Sequence, residues 1–199
     1  MVMHDQNNDI SNDIEILERH LTEIGYPNHC LHAGPIIRNE TPYRHEGLEN
    51  RQKLLRVFMA FFRKIEVRCF AVCLEKKHVN DAVGAVGKLS KDISLFIRVH
   101  YEFFQSFDIV KIYYDNGQVE VSKLLSSVFH TLLDNVEFRR VKPQDHRLFQ
   151  AADFVATMKL LQIKTEKNEL SNAEEYFFGN KKVIRKKYLK VLEDKIESH

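Results

Sequence analysis

A stripe of polar side chains runs along the segment 145–161, whose other residues are largely apolar and follow the helical period. The stripe consists of His146, Gln150, Asp153 and Thr157. Intervals of three and four residues place these side chains on one face of an α-helix. An ionised carboxylate is costly to bury without a partner. Asp153 is therefore expected either to accept hydrogen bonds as a structural carboxylate or to line a cleft that cations reach.

A second carboxylate, Asp115, follows a short run of β-branched and aromatic residues. Residues 109–115 predict a strand, and the Asn116-Gly117 pair after them predicts a chain reversal. Asp115 then lies at the carboxyl end of the strand, where open α/β sheets form ligand crevices. Its oxygens are the ligand type that hard divalent cations prefer. An Asx-type turn beginning at Asp115 is the alternative interpretation.

Several segments of the chain resemble signature segments of the domain of unknown function 3800 family. They are residues 113–118, 138–141, 143–146 and 148–153. The last of these, with its Gln-Ala-Ala-Asp sequence, is the most specific. Upstream, the segment from Cys30 to Ala33 is similar to the family's Glu-Leu-His-Ala segment, with Cys30 in place of the acidic residue. The resemblance covers the chain from about His29 to its end.

This resemblance implies a ribonuclease H-like fold and a divalent-metal-dependent nuclease or phosphodiesterase activity. Asp115 and Asp153 match the family's acids, so they are expected to hold Mg²⁺ or Mn²⁺ and to act as catalytic residues. Converging carboxylates are what a two-metal phosphodiesterase site requires. His32 matches the family histidine and is the third expected catalytic residue, as a metal ligand, a proton shuttle or an edge hydrogen-bonding group. Glu40 and Asp145 are weaker candidates, and Asp145 is better suited to capping the helix that follows it.

One segment of the family pattern has no counterpart in this chain. Family members open with a strand that ends in Asp-Glu-Ser-Gly, whereas residues 1–5 are similar to the tail of the family's second strand. The resemblance thus implies a sheet without its first strand and first carboxylate, through either a misassigned start or a short form. Such a chain is expected to cleave nucleic acid poorly or not at all. The alternative function is a non-catalytic nucleic-acid-binding or protein-binding module.

An unpaired sheet edge also has consequences for assembly. Exposed backbone donors and acceptors pair readily with a second chain. We therefore expect a homo-oligomer in which residues 2–4 or a neighbouring strand pair across a two-fold axis. The alternative is that helices such as 11–24 fold over the gap and keep the chain monomeric.

Basic residues cluster in two places along the chain. The last predicted helix carries Lys181, Lys182, Arg185, Lys186, Lys187 and Lys190, and a second group precedes the Asp153 helix. Such clusters are what binding to a phosphate backbone needs. The expected nucleic-acid contacts are Arg139, Arg140, Lys142, Lys182 and Lys186. A solvated helix face is the alternative interpretation for each of these cations taken singly.

The composition is that of an ordinary globular domain without membrane or export signals. The chain has 199 residues, 44% of them hydrophobic and 11% aromatic, and a formal net charge of +2 that does not by itself predict a nucleic-acid partner. The three cysteines lack C-x-x-C spacing, which favours a reducing compartment and a cytoplasmic location. A polar N-terminus and the lack of long apolar runs argue against a signal peptide and a membrane span.

Zinc and nucleophile chemistry have little support in this sequence. His29 and His32 are three residues apart, so on a strand they would face opposite sides. A G-x-S-x-G turn is missing, and the cysteines lie in apolar segments. The metal-dependent interpretation therefore rests on carboxylates.

Hydrophobic periodicity predicts an α/β chain in which strands alternate with helices. The predicted helices are 11–24, 48–62, 79–107, 124–133 and 145–161, followed by a basic helical tail. The predicted strands are 29–33, 67–74, 109–115 and 136–142, with a loop at 34–42 and with Cys69 and Cys73 in the core. Together with the resemblance, this predicts a single domain, 1–199, with a ribonuclease H-like mixed sheet flanked by helices and lacking its first strand.

Overall fold

The computed structural model describes residues 1–75, 82–114 and 119–197. These residues form a mixed α/β protein that is mostly helical and contains two small sheets. They fall into two compact units: the first combines Met1–Ala71 with the described chain from His146 onward, and the second is Val72–Asp145. Within the described residues, no helix is long and apolar enough to cross a membrane. A single domain over residues 1–199 stays a prediction.

Strands and helices alternate irregularly along the chain. The strands are β1 (Val2–Met3), β2 (Arg68–Cys69), β3 (Val110–Tyr114) and β4 (Val136–Arg140). The helices are α1 (Ser11–Glu23), α2 (Ala33–Arg38), α3 (Leu48–Lys64), α4 (Ala82–Val99), α5 (Tyr101–Gln105), α6 (Val119–Leu132), α7 (Arg147–Lys167), α8 (Asn172–Phe178), α9 (Lys181–Val183) and α10 (Lys190–Glu193). A 3₁₀ turn, Pro143–Asp145, precedes α7, and a π-helical turn, Ile184–Leu189, joins α9 to α10.

The core of the first unit forms where α3 and α7 bury aromatic side chains against each other. Phe58 and Phe62 lie one turn apart on α3, and their ring centroids are 5.8 and 5.2 Å from that of Phe154 on α7. Leu17 and Leu21 of α1 join the same buried cluster. Apolar residues at intervals of three and four give each helix one face for this core. The packing fixes α7, and with it the polar stripe near its first turn.

The small sheet of the first unit is completed by the end of the described chain. Val2 pairs with Cys69 in the antiparallel β1–β2 ladder. On the other side of β2, the Cys69 amide donates to the Lys195 carbonyl at 2.6 Å, and the Glu197 amide donates to the Cys69 carbonyl at 2.9 Å. The N-terminal segment that was expected to pair with a second chain thus pairs within its own chain, because β2 offers it a nearby partner.

The second unit contains a parallel strand pair joined by a helix. β3 and β4 pair in parallel from Val110 opposite Val136 to Tyr114 opposite Arg140. α6 makes the crossover and packs against α4, burying Leu124 and Val128. The predicted strands at 109–115 and 136–142 are confirmed over β3 and β4. Asp115 lies outside the described residues.

The largest difference from the predicted elements is α2, which occupies the segment 33–38. A strand was predicted at 29–33 and a loop at 34–42, but Ala33–Arg38 is a helix whose apolar residues are buried. Pro35 is compatible with this helix because it lies in the first turn, where backbone amides have no intrahelical acceptor. The strand prediction was wrong because residues 29–32 have no regular secondary structure and Ala33 begins α2, and a segment this short carries too little periodicity to predict a strand.

Three smaller predictions also need correction. The strand predicted at 67–74 is limited to Arg68–Cys69, and Cys73 is exposed although Cys69 is buried. The helix predicted at 79–107 is divided at His100 into α4 and α5. Asp145 does not cap α7, because it belongs to the 3₁₀ turn and the N-cap residue is His146.

Candidate functional site

Two residues of the polar stripe, Gln150 and Asp153, contact the segment 29–33, which runs into the first residue of α2. Gln150 is the most buried member of the stripe, with 1% of its surface exposed. Its Oε1 accepts hydrogen bonds from the Leu31 amide at 3.1 Å and from the Arg147 guanidinium at 2.7 Å. A buried amide needs such an acceptor, since leaving it unpaired would cost about 1–3 kcal/mol. Gln150 therefore ties an irregular backbone segment to the first turn of α7.

Arg147 extends this connection to α1. Its Nη2 lies 2.5 Å from Glu18 Oε1, its Nε donates to the same oxygen at 2.7 Å, and its Nη1 donates to the His29 carbonyl at 2.7 Å. The Arg147 side chain is 9% exposed and that of Glu18 is 35% exposed. The planar guanidinium, with its several N–H donors, can hold three groups in fixed directions. We call Glu18, His29, Leu31, Arg147 and Gln150 the Arg147 network.

Asp153 fixes the beginning of α2. Its Oδ2 accepts a hydrogen bond from the Ala33 amide at 3.0 Å, and Ala33 is the first residue of α2. The first amides of a helix have no acceptor within the helix, so a carboxylate from another element can satisfy one of them. The Arg38 guanidinium pairs with Glu40 at 2.9 Å, and its raised pKa arises mainly from Glu40 with a smaller contribution from Asp153. Asp153 thus occupies a structural position, with a cation near it.

Tyr43 organises the other predicted site residue, His32. The buried Tyr43 hydroxyl accepts from the His32 amide at 3.2 Å and donates to the Cys30 carbonyl at 3.3 Å, and it lies 2.7 Å from His29 Nε2. His32 Nε2 is 3.6 Å from Cys30 Sγ. Burial raises the pKa of Tyr43 to about 12, so the hydroxyl stays protonated. The phenol therefore acts as a hydrogen-bonding hub.

The Cys30 and His32 side chains do not form an activated nucleophile pair. Burial raises the pKa of the Cys30 thiol, and the Asp153 carboxylate also acts in that direction, against a smaller lowering by Arg147. Reactive cysteines need the opposite shift, because the thiolate is the nucleophile. The contact is therefore a hydrogen bond between a thiol and an imidazole, in keeping with the absence of sequence support for cysteine catalysis.

The described residues do not by themselves provide a divalent-metal site. Across residues 1–75, 82–114 and 119–197, no group of three or more His, Cys, Asp and Glu side chains could hold a metal ion. Near Asp153, the neighbouring groups are an amide donor, a thiol, a phenol and a guanidinium, whereas Mg²⁺ and Mn²⁺ prefer several oxygen ligands. Asp115, the predicted second ligand, lies outside the described residues, and its pairing with Asp153 stays a prediction.

The other predicted site residues lie at exposed positions. Glu40 pairs with Arg38, and Asp145 is exposed in the 3₁₀ turn. Arg139, Arg140 and Lys142 are exposed at the end of β4 in the second unit, where Arg139 forms an ion pair with Glu137 at 2.8 Å. Lys182 and Lys186 are exposed in the first unit, on α9 and the π-helical turn. Cations that contact phosphates must be exposed, and cations on a helix face that only meets solvent are exposed as well.

Comparisons with protein-family models, with curated proteins and with solved structures gave no significant match. The resemblance to the domain of unknown function 3800 family thus stays a prediction that rests on the segments quoted above. The geometry at Asp153 carries the functional argument.

Sequence reasoning overlooked Arg147 and Tyr43, which the structure places at the centre of the site, and considered His29 only as a zinc ligand. Arg147 follows the first stripe residue, and an Arg in the first turn is unfavourable to the helix dipole unless a carboxylate compensates it. The position of Arg147 in the first helical turn could therefore have indicated a carboxylate partner for it. Tyr43 and His29 gave none, because their contact depends on how the loop between α2 and α3 folds back.

The Arg147 network predicts a specific loss of stability in Gln150→Leu. Removing the acceptor leaves the buried Leu31 amide unpaired and takes one partner from Arg147, so the free energy of unfolding should fall by about 1–3 kcal/mol. Gln162 on the same helix is partly buried and accepts a hydrogen bond from the Lys159 ammonium at 3.0 Å, so Gln162→Leu is the matched control and should lower the free energy of unfolding by less than Gln150→Leu does. Urea denaturation measures both. Equal effects of the two substitutions would show that Gln150 does not anchor the segment.

His29 predicts a dependence of stability on pH. Burial, followed by the nearby Arg147 charge, lowers the pKa of His29 in the folded chain. Below the unfolded-state pKa, the His29 imidazole binds a proton in the unfolded chain but stays neutral in the folded chain. The contribution of His29 to stability is therefore present above the unfolded-state pKa and is lost as the pH falls below it. The stability difference between wild type and His29→Gln should therefore shrink from about pH 7.5 to about pH 5.5. The same series on His45→Gln, at an exposed position, should show a constant difference, and a constant difference for His29→Gln would contradict the assignment.

Proposed function

We propose that this protein binds nucleic acid without hydrolysing it and does so on a ribonuclease H-like α/β scaffold of the domain of unknown function 3800 type. The observation that carries the proposal is the structural use of Asp153, whose Oδ2 accepts the Ala33 amide at 3.0 Å. The carboxylate that the resemblance assigns to metal binding thus has a structural role in holding α2. This role supports binding, rather than hydrolysis, as the function of the scaffold.

The scaffold assignment is supported by one feature of the second unit. β3, α6 and β4 form a parallel strand–helix–strand unit, which is the building block of α/β folds with parallel sheets. The finer ribonuclease H-like assignment rests on the resemblance of residues 113–118 and 148–153. A fold does not determine a function, which depends on the residues of the site and their chemistry.

Electrostatics around Asp153 supports binding without hydrolysis. A divalent cation in a phosphodiesterase site is held by several carboxylates, which offset its charge and orient it. Asp153 also interacts electrostatically with the Arg38 guanidinium, whose own ion-pair partner is Glu40 at 2.9 Å. His32 has its imidazole near a protonated thiol. These neighbours favour the structural interpretation of Asp153 over the metal-ligand interpretation.

The nucleic-acid part of the proposal is supported by the cations near the C-terminal end of the chain. Of the ten residues from 181 to 190, six are Lys or Arg and none is Asp or Glu. Ile184, Tyr188 and Leu189 of this segment are buried, which leaves Lys182 and Lys186 exposed. Exposed cations bind phosphates by releasing condensed counterions. The competing function is a Mg²⁺- or Mn²⁺-dependent nuclease that uses Asp115, Asp153 and His32, as the resemblance implies.

A combined binding and cleavage assay tests this function. The full chain, mixed with labelled duplex DNA and duplex RNA in Mg²⁺ or Mn²⁺, should retain the nucleic acid and leave it uncut. Lys182→Gln/Lys186→Gln should weaken binding and reduce its salt dependence, because each phosphate contact contributes a slope of about 0.9 in log K against log salt. Lys88→Gln/Lys91→Gln, with the same change of charge on exposed positions of α4, is the control. Robust cleavage that Asp153→Asn abolishes would establish the nuclease instead.

A further inference from the structure

The exposed side of α3 is a second line of positive charge in the first unit. The exposed residues of this helix are Glu49, Asn50, Lys53, Arg56, Ala60, Arg63 and Lys64. They recur at intervals of one, three and four residues, so they share the side of the helix opposite to its core residues Phe58 and Phe62. Between Glu49 and Glu66 the sequence contains no acid. The outer side of α3 is thus cationic from its second turn to its end.

This side of α3 adjoins the basic segment 181–190. The Arg63 guanidinium donates to the Lys187 carbonyl at 3.3 Å. Arg56 lies close enough to Tyr188 to lower the pKa of its hydroxyl against the larger raising effect of burial. Both helical segments bury their apolar sides in one cluster, which includes Phe61 and Leu189. Their charged sides therefore lie next to each other on the same unit.

We infer that the two segments form one binding surface for the sugar-phosphate backbone of a nucleic-acid duplex, a conclusion that rests on the proposed function and adds α3 to it. We call this surface the α3 basic face. Its exposed cations are Lys53, Arg56, Arg63, Lys64, Lys182, Arg185, Lys186, Lys187 and Lys190. In sequence, Glu49 and Glu66 flank the cations of α3, and in the second segment Arg185 lines a pocket together with Glu166 and Glu193.

The dimensions of α3 fit several phosphates of one strand. An α-helix rises about 1.5 Å per residue, so Lys53 and Lys64 lie about 16 Å apart along the axis. Phosphates of one strand of a duplex are spaced about 3.4 Å along its axis, so this distance corresponds to about five of them. The basic segment that adjoins α3 provides a second row of cations. Two rows of cations on one compact unit suit the regularly spaced phosphates of a duplex.

The types of side chain exposed on the α3 basic face favour a duplex over two other anionic partners, single-stranded nucleic acid and a membrane surface. Single-stranded nucleic acid is bound by exposed aromatic side chains on which bases stack. A membrane surface is bound by helices that expose large apolar or aromatic residues beside their cations. Within α3 and residues 181–190, both fully described, the exposed positions hold neither type, and Ala60 is the most apolar residue among them. Backbone charge is what this face can recognise, so sequence preference is expected to be weak.

Fluorescence anisotropy with a labelled duplex of about 20 base pairs tests the inference across a salt series. The double variant Lys53→Gln/Lys64→Gln removes two cations from α3 and leaves the contact between Arg63 and Lys187 in place. We expect the slope of log K against log salt to fall by about 2 and the affinity near 0.1 M salt to fall at least about tenfold. Lys88→Gln/Lys91→Gln should match the wild type, and thermal melting of each variant verifies that it is folded.

The outcomes separate this inference from the proposed function. If Lys182→Gln/Lys186→Gln weakens binding but Lys53→Gln/Lys64→Gln leaves slope and affinity unchanged, α3 is not part of the surface and the inference is wrong while the function stands. If the wild-type chain binds no duplex, the proposed function fails first. Vesicles of anionic lipid and a labelled single strand are run in parallel, and tighter binding to either than to the duplex overturns the choice of partner.

Discussion

The candidate site depends on the hydrogen bonds and the ion pair that the Arg147 guanidinium forms. The guanidinium joins α1 through Glu18, the 29–33 segment through the His29 carbonyl, and its own helix through Gln150. The segment it holds has no regular secondary structure, so its backbone groups must find partners among side chains. Arg147 and Gln150 provide those partners. Charge-assisted bonds at low exposure are stronger than neutral ones, which explains how two side chains can position a whole segment.

Once the segment is fixed, the position of α2 and the chemistry of Asp153 follow from it. The segment ends at His32, the N-cap residue of α2, and the next amide, that of Ala33, points at the Asp153 carboxylate. A short helix gains little from its own hydrogen bonds, so it depends on such external contacts. Asp153 and Gln150 therefore act together from one helix face. Polar residues at this spacing are expected both where a helix binds a metal ion and where it holds a neighbouring backbone segment. The groups that contact these residues distinguish the two cases.

Local patterns predicted much of the fold because they report on periodicity. α1 and α3 were predicted within two residues from apolar spacing, whereas α7 begins near its predicted start and continues six residues past its predicted end; β3 and β4 were predicted from runs of β-branched and aromatic residues. α2 was missed because its segment is short and contains Pro35. The exposed Cys73 was predicted as core because its strand was taken to continue past Cys69. Each of these errors concerns a segment whose structure is decided by tertiary contacts.

The candidate site was predictable in part for the same reason. The stripe with Gln150 and Asp153 was visible as polar residues at helical spacing, but their partners come from residues more than a hundred positions earlier, namely Leu31 and Ala33. Backbone amides leave no trace in a sequence pattern. The cations of α3 were also overlooked, because they are spread over a helix that was recognised by its apolar residues, whereas the basic cluster at 181–190 was recognised from the sequence.

We propose that Asp153 caps α2 through the Ala33 amide and does not hold a metal ion. The most direct measurement is the thermal stability of wild type, Asp153→Asn and Asp153→Leu, each in a chelator and in millimolar Mg²⁺. Asn keeps an oxygen that can accept the Ala33 amide, whereas Leu does not. The account predicts that Asn stays close to the wild type, that Leu loses about 1–2 kcal/mol, and that Mg²⁺ shifts none of the three. A Mg²⁺-dependent stabilisation of the wild type that disappears in Asp153→Asn would contradict it.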